Sequence, residues 1–313
     1  MTINATSAMV ITPAVLAQGL ITDLNGDQTS MASLENQIST GDAINTPSDN
    51  PAGAANILSL QSSLTRANQY STNAADGLGW LQLGNSTVNS ILGVLQNVQS
   101  LVESTTGEAL SGATSAVTSI AAQVSSALSE LTNLANTQYE GGQAIFGGTG
   151  ASSAAYAADG TYLGAGTAPT RTVAPGTQIS VGVTGPEIFG SGSTGLLGQT
   201  AGNMGVLAQI VQDLQANTPA SIKAATGTDL QNLQAAITHV EGVAGGLGAN
   251  QQAVQGFSAQ AVSTQTTLEQ ELSSVQSVNM AEAITSLQTL QTGYQAALYA
   301  TSQISADSLV KYL

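Results

Sequence analysis

The chain has 313 residues, enough for two or three ordinary domains, and 42% of them are hydrophobic. It has no cysteine and one histidine, which excludes disulfide frameworks, thiolate metal sites and histidine-rich metal sites. Four basic residues stand against nineteen acidic ones, and the net charge of −15 excludes the basic surface that binds nucleic acid or an anionic membrane.

The first predicted element is a helix near the N-terminus with a coiled-coil period. Apolar residues recur there at alternating steps of three and four, the spacing of a helical seam. The seam residues are Val10, Ala17, Leu20, Leu24, Met31, Leu34 and Ile38. Pro13 suits the first turn, and Gly41 is expected to end the helix. Asp27 falls on the seam, where burial of a charge is costly, so we expect a break there.

Two further helices are predicted before residue 140. Asn50 can cap the first of them, with Pro51 at its first position, where the missing N–H costs nothing. Apolar stripes at helical spacing then continue as far as Val102. A separate stripe predicts a third helix from Thr114 to about Tyr139.

Glycine marks a change of character in the middle of the chain. Residues 141–202 hold sixteen of the 34 glycines, so this segment is expected to be irregular or β. One hairpin is predicted from the β-prone runs 170–173 and 179–183, joined through Pro175 and Gly176. As an insertion with ends close together, the part from Ser152 to about Gly202 is expected to tolerate deletion.

The C-terminal part predicts long helices again. After Pro219 no proline occurs, so one or two very long helices can run from about residue 229 to 313. Their weak points are the glycines at 242, 245, 246 and 248. Apolar residues that include Leu287, Tyr294 and Leu298 form a seam, and the two end helices are natural partners for each other.

The predicted fold class is mainly α, an elongated bundle of long helices with N- and C-terminal coiled-coil arms and a small β-containing insertion. We expect paired terminal helices at 1–45 and 272–313 and a helical rod at 46–140 and 204–271. Residues 141–203 are expected to form a Gly-rich, partly β peripheral insertion.

Three strings in these segments resemble the flagellin superfamily. They read QISTGDAINTPSDNPAGAA at 37–55, QYEGGQAIFGGT at 138–149 and AEAITSLQTLQTGYQAALYATSQISADSLVKYL at 281–313. The two prolines of the first string and the Ile-Phe-Gly-Gly-Thr run resemble the junction proteins of the superfamily rather than its filament subunits. The candidate assembly residues in these strings are Ile38, Gly41, Pro47, Pro51, Tyr139, Phe146, Gly147, Gly148, Leu287, Tyr294, Leu298, Leu309 and Leu313.

The resemblance implies a structural, non-enzymatic subunit of the bacterial flagellum, located outside the cell at the hook–filament junction. Its implied partners are other copies of itself in an axial ring, a first hook-associated junction protein, flagellin and a flagellar export chaperone. No cofactor, nucleic acid or membrane insertion is implied. No Lys or Arg precedes Arg66, so the positive region of a cleaved secretory signal is missing, and export without one is expected. The alternative is a short flagellin that forms the filament itself.

Two patterns point to other functions and are rejected. Residues 190–195 match G-x-G-x-x-G, but no alternating strand–helix series surrounds them, so no dinucleotide site is predicted. His239 could nominally join a hydrolase triad, but no G-x-S-x-G elbow accompanies it. A third hypothesis, from a different functional class, is that residues 141–202 form a carbohydrate- or host-binding module.

Overall fold

Long helices dominate the computed structural model, which describes residues 13–108, 114–150, 153–200 and 203–310. The helices of these residues are α1 (Pro13–Thr40), α2 (Pro51–Glu108), α3 (Thr114–Ala135), α4 (Gly185–Phe189), α5 (Val206–Ala216), α6 (Pro219–Ala224), α7 (Leu230–Gln276) and α8 (Met280–Val310). The strands are β1 (Gln138–Tyr139), β2 (Gln143–Ala144), β3 (Thr170–Ala174), β4 (Thr177–Ser180), β5 (Gln199–Thr200) and β6 (Asn203–Met204). Strand β1 pairs with β2, β3 with β4 and β5 with β6, each pair antiparallel and forming a separate two-stranded sheet. The mainly α prediction is confirmed, and the predicted residues Val10 and Leu313 lie outside the described part of the chain.

The predicted start of α2 is confirmed, whereas α3 is shorter than expected. Asn50 caps α2, because its Oδ1 accepts a hydrogen bond from the backbone N–H of Gly53 at 3.0 Å. The helix expected to reach Tyr139 ends at Ala135, since Tyr139 pairs with Gln143 in β1–β2 instead. The tight turn between these strands uses Gly141 and Gly142, both with positive φ, which glycine adopts without strain.

The C-terminal helices break at a position that glycine did not indicate. Helix α7 continues through the glycines at 242, 245, 246 and 248, because each costs only about 1 kcal/mol relative to alanine in a helix. The break falls instead at residues 277–279. There Asn279 Oδ1 accepts from the backbone N–H of Glu282 at 3.4 Å, and the side-chain Nδ2 of Asn279 donates to the Glu282 carboxylate. This reciprocal cap starts α8.

The chain divides into two compact units. The first unit comprises Met1–Thr65 and Thr266–Leu313, and within it α1 packs against α8. The second unit is Arg66–Gln265, in which α3 packs against α5. Helices α2 and α7 each contribute residues to both units.

The core of the second unit includes the glycine-rich segment. Side chains from α2, α3, α5 and this segment belong to one buried cluster. Fully or almost fully buried members include Leu81, Ile91, Leu95, Leu131, Phe146, Phe189, Leu196, Leu197, Leu207 and Ile210. Removal of residues 152–202 would take Phe189, Leu196 and Leu197 out of this core, which argues against the expectation that this deletion is tolerated.

Side chains from α2 and α7 hold the predicted hairpin within the second unit. Strand β3 pairs with β4 as expected, although β4 ends at Ser180 rather than Val183. The Asn73 amide donates to the Thr172 carbonyl at 2.8 Å, and the Asn250 amide donates to the Ser180 carbonyl at 3.0 Å. Both strands of the hairpin are thus tied to helices by amide side chains.

The substitution Phe189→Ala tests whether the glycine-rich segment is part of the core. Phe189 is 2% exposed and packs edge-on against Phe146, with ring centroids 5.9 Å apart. We expect a loss of about 3–5 kcal/mol in the free energy of unfolding, because truncation leaves a cavity. Urea denaturation followed by circular dichroism measures this loss. Leu163→Ala, at a side chain that is 52% exposed, should change little. Equal effects of the two variants would contradict a core role for the segment.

Candidate assembly surface

The face of α1 that packs on α8 has the period predicted from the sequence. Half-buried residues recur along α1 at steps of three and four, while the residues between them are mostly exposed. The residues at these steps are Leu20, Leu24, Asp27, Met31, Leu34 and Ile38, and Gln37 is half-buried beside Ile38. The helix and its half-buried stripe continue through Asp27, so the break expected there does not occur.

Helix α8 contributes a matching stripe. Its less exposed residues Ala283, Leu287, Leu290, Tyr294, Ala297 and Thr301 again recur at steps of three and four, with Ser286 half-buried beside Leu287. We name the two stripes together the terminal seam. Leu287 and Tyr294 belong to it as predicted, whereas Ala283, Leu290 and Ala297 were not singled out from the sequence. Their helical spacing was the signal that could have found them.

A second apolar stripe on α8 adjoins the terminal seam and is open to solvent. Met280, Ile284 and Leu298 are 42%, 42% and 45% exposed. One helical turn separates the first two, and about four turns separate the last two, so all three share one face. Leu298 thus lies outside the terminal seam, contrary to the sequence-based expectation. We call these three residues the exposed stripe.

The break between α1 and α2 is tied to the break between α7 and α8. Helix α1 ends before Gly41, whose φ of 80° is the left-handed conformation that closes many helices. The Ala43 N–H donates to the Gln276 carbonyl at 2.6 Å, and the Val278 N–H donates to the Gly41 carbonyl at 3.0 Å. This backbone pairing, which we name the joint, holds together two segments that are remote in sequence.

The loop before α2 is braced by its own side chains. The Asp49 carboxylate accepts hydrogen bonds from the N–H groups of Thr46 at 2.8 Å and Asn45 at 3.1 Å. The bond from Thr46 is the main cause that lowers the pKa of Asp49. Pro47 lies in the same loop and Pro51 begins α2, so the two prolines restrict the backbone on either side of Asp49. The loop is therefore a fixed turn rather than a free linker.

The other predicted motif residues have packing roles in the second unit. The Tyr139 ring lies 4.9 Å from the Trp80 ring, and burial is the main cause that raises the pKa of Tyr139. Phe146 is buried, and the carbonyl of Gly147 accepts from the N–H of Ala165 at 3.0 Å. Gly148 has a φ of 78°, and a side chain there would collide with the Ala165 carbonyl. These residues shape the core of their own unit.

The structure thus does not gather the predicted residues into one site. Ile38, Gly41, Pro47, Pro51, Leu287, Tyr294 and Leu298 belong to the first unit, and Tyr139, Phe146, Gly147 and Gly148 to the second. Leu309 lies in α8, also in the first unit. The role of Asn279 at the joint was missed, although Asn followed three residues later by Glu is a capping signal.

The patterns rejected from the sequence have ordinary roles in the described chain. His239 on α7 lies 2.8 Å from the carbonyl of Glu187 through its Nε2, which therefore acts as a donor. Residues Gly192–Thr194 form a single 3₁₀ turn. In residues 13–108, 114–150, 153–200 and 203–310, no cluster of three or more His, Cys, Asp or Glu could hold a metal ion. None of the described helices is long and apolar enough to cross a membrane.

Two protein-family models match most of the chain. The bacterial flagellin N-terminal helical region matches residues 11–151, and the bacterial flagellin C-terminal helical region matches residues 230–313. The two matches contain both long-helix parts of the chain and leave out residues 1–10 and 152–229.

Curated relatives carry one shared name. Flagellar hook-associated protein 3 of Escherichia coli (strain K12) is 28% identical over 156 residues, which are 50% of this chain and 49% of that protein. The protein of the same name from Salmonella typhimurium (strain LT2) is 26% identical over 184 residues, 58% of this chain and 57% of that protein. The chain thus matches about half the length of these relatives.

The fold also matches solved structures. The crystal structure of FlgL from Xanthomonas campestris superposes with a TM-score of 0.59 at 16% identity, over 68% of this chain and 99% of that chain. At this identity the likeness shows that the fold is shared.

The substitution Asp49→Ala tests the brace of the loop. Because the pKa of Asp49 is lowered in the folded chain, its contribution is present above its ordinary value of 3.8 and is lost as pH falls through the lowered value. We expect the variant to lose hydrogen-exchange protection at the amides of Asn45 and Thr46 already at neutral pH. The wild-type chain should lose it only in acid. Asp42→Asn is the control in the same loop, and unchanged protection in Asp49→Ala would contradict the brace.

Proposed function

Because the chain belongs to the flagellin family, we propose that it is a structural subunit of the bacterial flagellum that joins the hook to the filament. The shared name of the curated relatives supports the position at the hook. The half-buried terminal seam is the observation that carries an assembly role. The proposed role is mechanical and not enzymatic.

The terminal seam is incompletely covered within a single chain. None of the described side chains of α1 is buried, although the stripe includes Leu24, Met31 and Leu34. Burial of apolar surface contributes about 25 cal/mol per Å², so further helices packed beside this pair would stabilise it. Other copies of the same chain in an axial ring supply such helices.

The exposed stripe extends the apolar surface that neighbouring copies would cover. It is continuous with the terminal seam along α8, and Glu282 and Asp307 are the charged residues of this helix. The other polar residues of α8 are mainly uncharged Gln, Ser and Thr. Copies with a net charge of −15 repel each other, and a helix with few carboxylates keeps that repulsion away from the contact.

An adaptor needs a different neighbour at each end. We propose a first hook-associated junction protein on the hook side and flagellin on the filament side. A ring that closes on itself does not grow without limit, whereas a filament subunit must bind copies on every side. The joint and the two prolines give the turn between α1 and α2 a fixed conformation, which suits a subunit that keeps two lattices in register.

Before assembly, the apolar surface of α8 would need protection. We propose that a flagellar export chaperone covers it inside the cell and that the subunit is exported without a cleaved signal peptide. Exposed apolar stripes that adjoin a helical seam are the type of surface that binds helical partners.

The adaptor and the short flagellin differ in self-assembly. We expect the purified full-length chain to remain monomeric or to form small oligomers at concentrations where flagellins grow filaments, even after addition of filament seeds. Size-exclusion chromatography and negative-stain electron microscopy test this expectation. Long homopolymeric filaments would contradict the adaptor and favour the short flagellin.

A double substitution in the exposed stripe tests the proposed contact between copies. Ile284→Glu with Leu298→Glu should leave the fold intact, since both side chains are exposed, but should reduce incorporation at the hook tip at least about tenfold. Fluorescence labelling in a strain that lacks the wild-type gene measures incorporation.

The matched control adds the same charge to the opposite face of α8. Thr289→Glu with Ala296→Glu changes two exposed residues that lie away from both stripes. We expect near-normal incorporation of this variant. If both double variants incorporate equally well, the exposed stripe is not a contact between copies.

A further inference from the structure

The glycine run at residues 190–195 forms part of the wall of a small cavity in the second unit. The cavity has a volume of about 80 Å³, and the rings of Tyr156, Tyr162 and Phe189 line it on other sides. Its lining glycines are at 160, 190, 192, 195 and 198. Because glycine has no side chain, peptide groups border the cavity at these positions. The cavity thus has both aromatic and polar walls.

Tyr156 is held in place at this cavity by its backbone and by its ring. The backbone N–H of Tyr156 donates to Asn136 Oδ1 at 2.8 Å, and the Asn136 amide donates to the Tyr156 carbonyl at 2.9 Å. The Tyr156 ring packs against the rings of Tyr162 and Phe189, with centroid distances of 5.2 and 5.4 Å. Since backbone and ring are both fixed, the side chain cannot turn away to reach a distant partner.

The hydroxyl group of Tyr156 is buried without a protein partner in the part of the chain that the structure describes. The residue is 4% exposed, and its Oη makes no hydrogen bond with any described group. The neighbouring Tyr162, in contrast, donates its hydroxyl to the Phe146 carbonyl at 3.2 Å. Buried tyrosine hydroxyls usually have a partner, because an unpaired one has lost its hydration without compensation. The Tyr156 hydroxyl therefore calls for a further partner.

The hydroxyl end of Tyr156 lies close to the wall of the cavity. A side chain at Gly185 would collide with this hydroxyl, and the next residue, Pro186, lines the cavity. A cavity can hold a water molecule when it has roughly 10–15 Å³ of space and two to four polar groups at its wall. The volume of about 80 Å³ and the bordering peptide groups meet both conditions.

We propose that ordered water occupies this cavity and bridges the Tyr156 hydroxyl to peptide groups of the loop at 190–198. None of the described residues that line the cavity is charged, so a neutral occupant suits it. The loop is closed on itself, because the Leu196 N–H donates to the Phe189 carbonyl at 2.7 Å. Its peptide groups are thus held around the water. The water ties the turn that contains Tyr156 to this loop, independently of the proposed assembly.

Thermal denaturation of the full chain tests the proposal through the sign of one effect. Tyr156→Phe removes the hydroxyl group and keeps the ring. A hydroxyl that is paired with water loses a hydrogen bond on removal, so we expect the midpoint to fall by about 2–4 °C. Tyr162→Phe is the matched control, since its hydroxyl has a protein partner, and its midpoint should also fall. A rise or no change in Tyr156→Phe would overturn the proposal, because removal of an unpaired buried hydroxyl is neutral or stabilising.

A high-resolution crystal structure of the full chain observes the water directly. We expect a water oxygen at about 2.5–3.0 Å from Tyr156 Oη, with at least one further hydrogen bond to a peptide group of the loop at 190–198. The same water should be lost or less occupied in crystals of Tyr156→Phe. A dry cavity, or a Tyr156 hydroxyl that bonds directly to another group of the protein, would overturn the hydration site.

Discussion

The pairing of α1 with α8 constrains the first unit, because it joins residues from opposite parts of the chain along one seam. Coiled coils usually set partner and register with charged residues beside the seam. Four basic residues leave this chain few such pairs. The joint supplies register by another means, since the backbone bonds of Ala43 with Gln276 and of Val278 with Gly41 fix one end of the seam. From that end, the residues of the terminal seam recur at steps of three and four along both helices.

Charged residues are also few in the second unit, where amide side chains make several of the hydrogen bonds between elements. Asn73 and Asn250 hold the hairpin, and the Asn85 amide donates to the Gln251 side-chain oxygen at 2.7 Å. Amides do not titrate, so these ties are independent of pH. Two carboxyl groups have pKa values shifted in opposite directions. Hydrogen bonds lower the pKa of Asp49, so its contribution to the loop is lost only in acid, whereas burial is the main cause that raises the pKa of Asp229 to about 6.

On the proposed function, the terminal seam is incompletely buried in the single chain because neighbouring copies cover it in the assembly. A pair of helices covers only one side of each seam residue, and the adjoining exposed stripe leaves further apolar surface for a neighbour. The second unit needs no such completion, because its helices and its glycine-rich segment close around one buried cluster. Assembly can therefore stabilise the terminal helices while the second unit is already folded.

The sequence by itself determined the helices and one seam, because helical period and capping depend on neighbouring residues. The stripe from Leu20 to Ile38 and the cap at Asn50 could be predicted from the sequence for this reason. Tertiary structure alone decided three other features. The break after Gln276 depends on backbone bonds to residues of a remote loop, and no glycine or proline marks it. Leu298 belongs to a stripe beside the seam, since its spacing fits both stripes and only the position of α1 separates them. Asp229 is buried at the end of the π-helical segment Ala225–Asp229, which packs against α5, and no local pattern distinguishes it from the exposed acids.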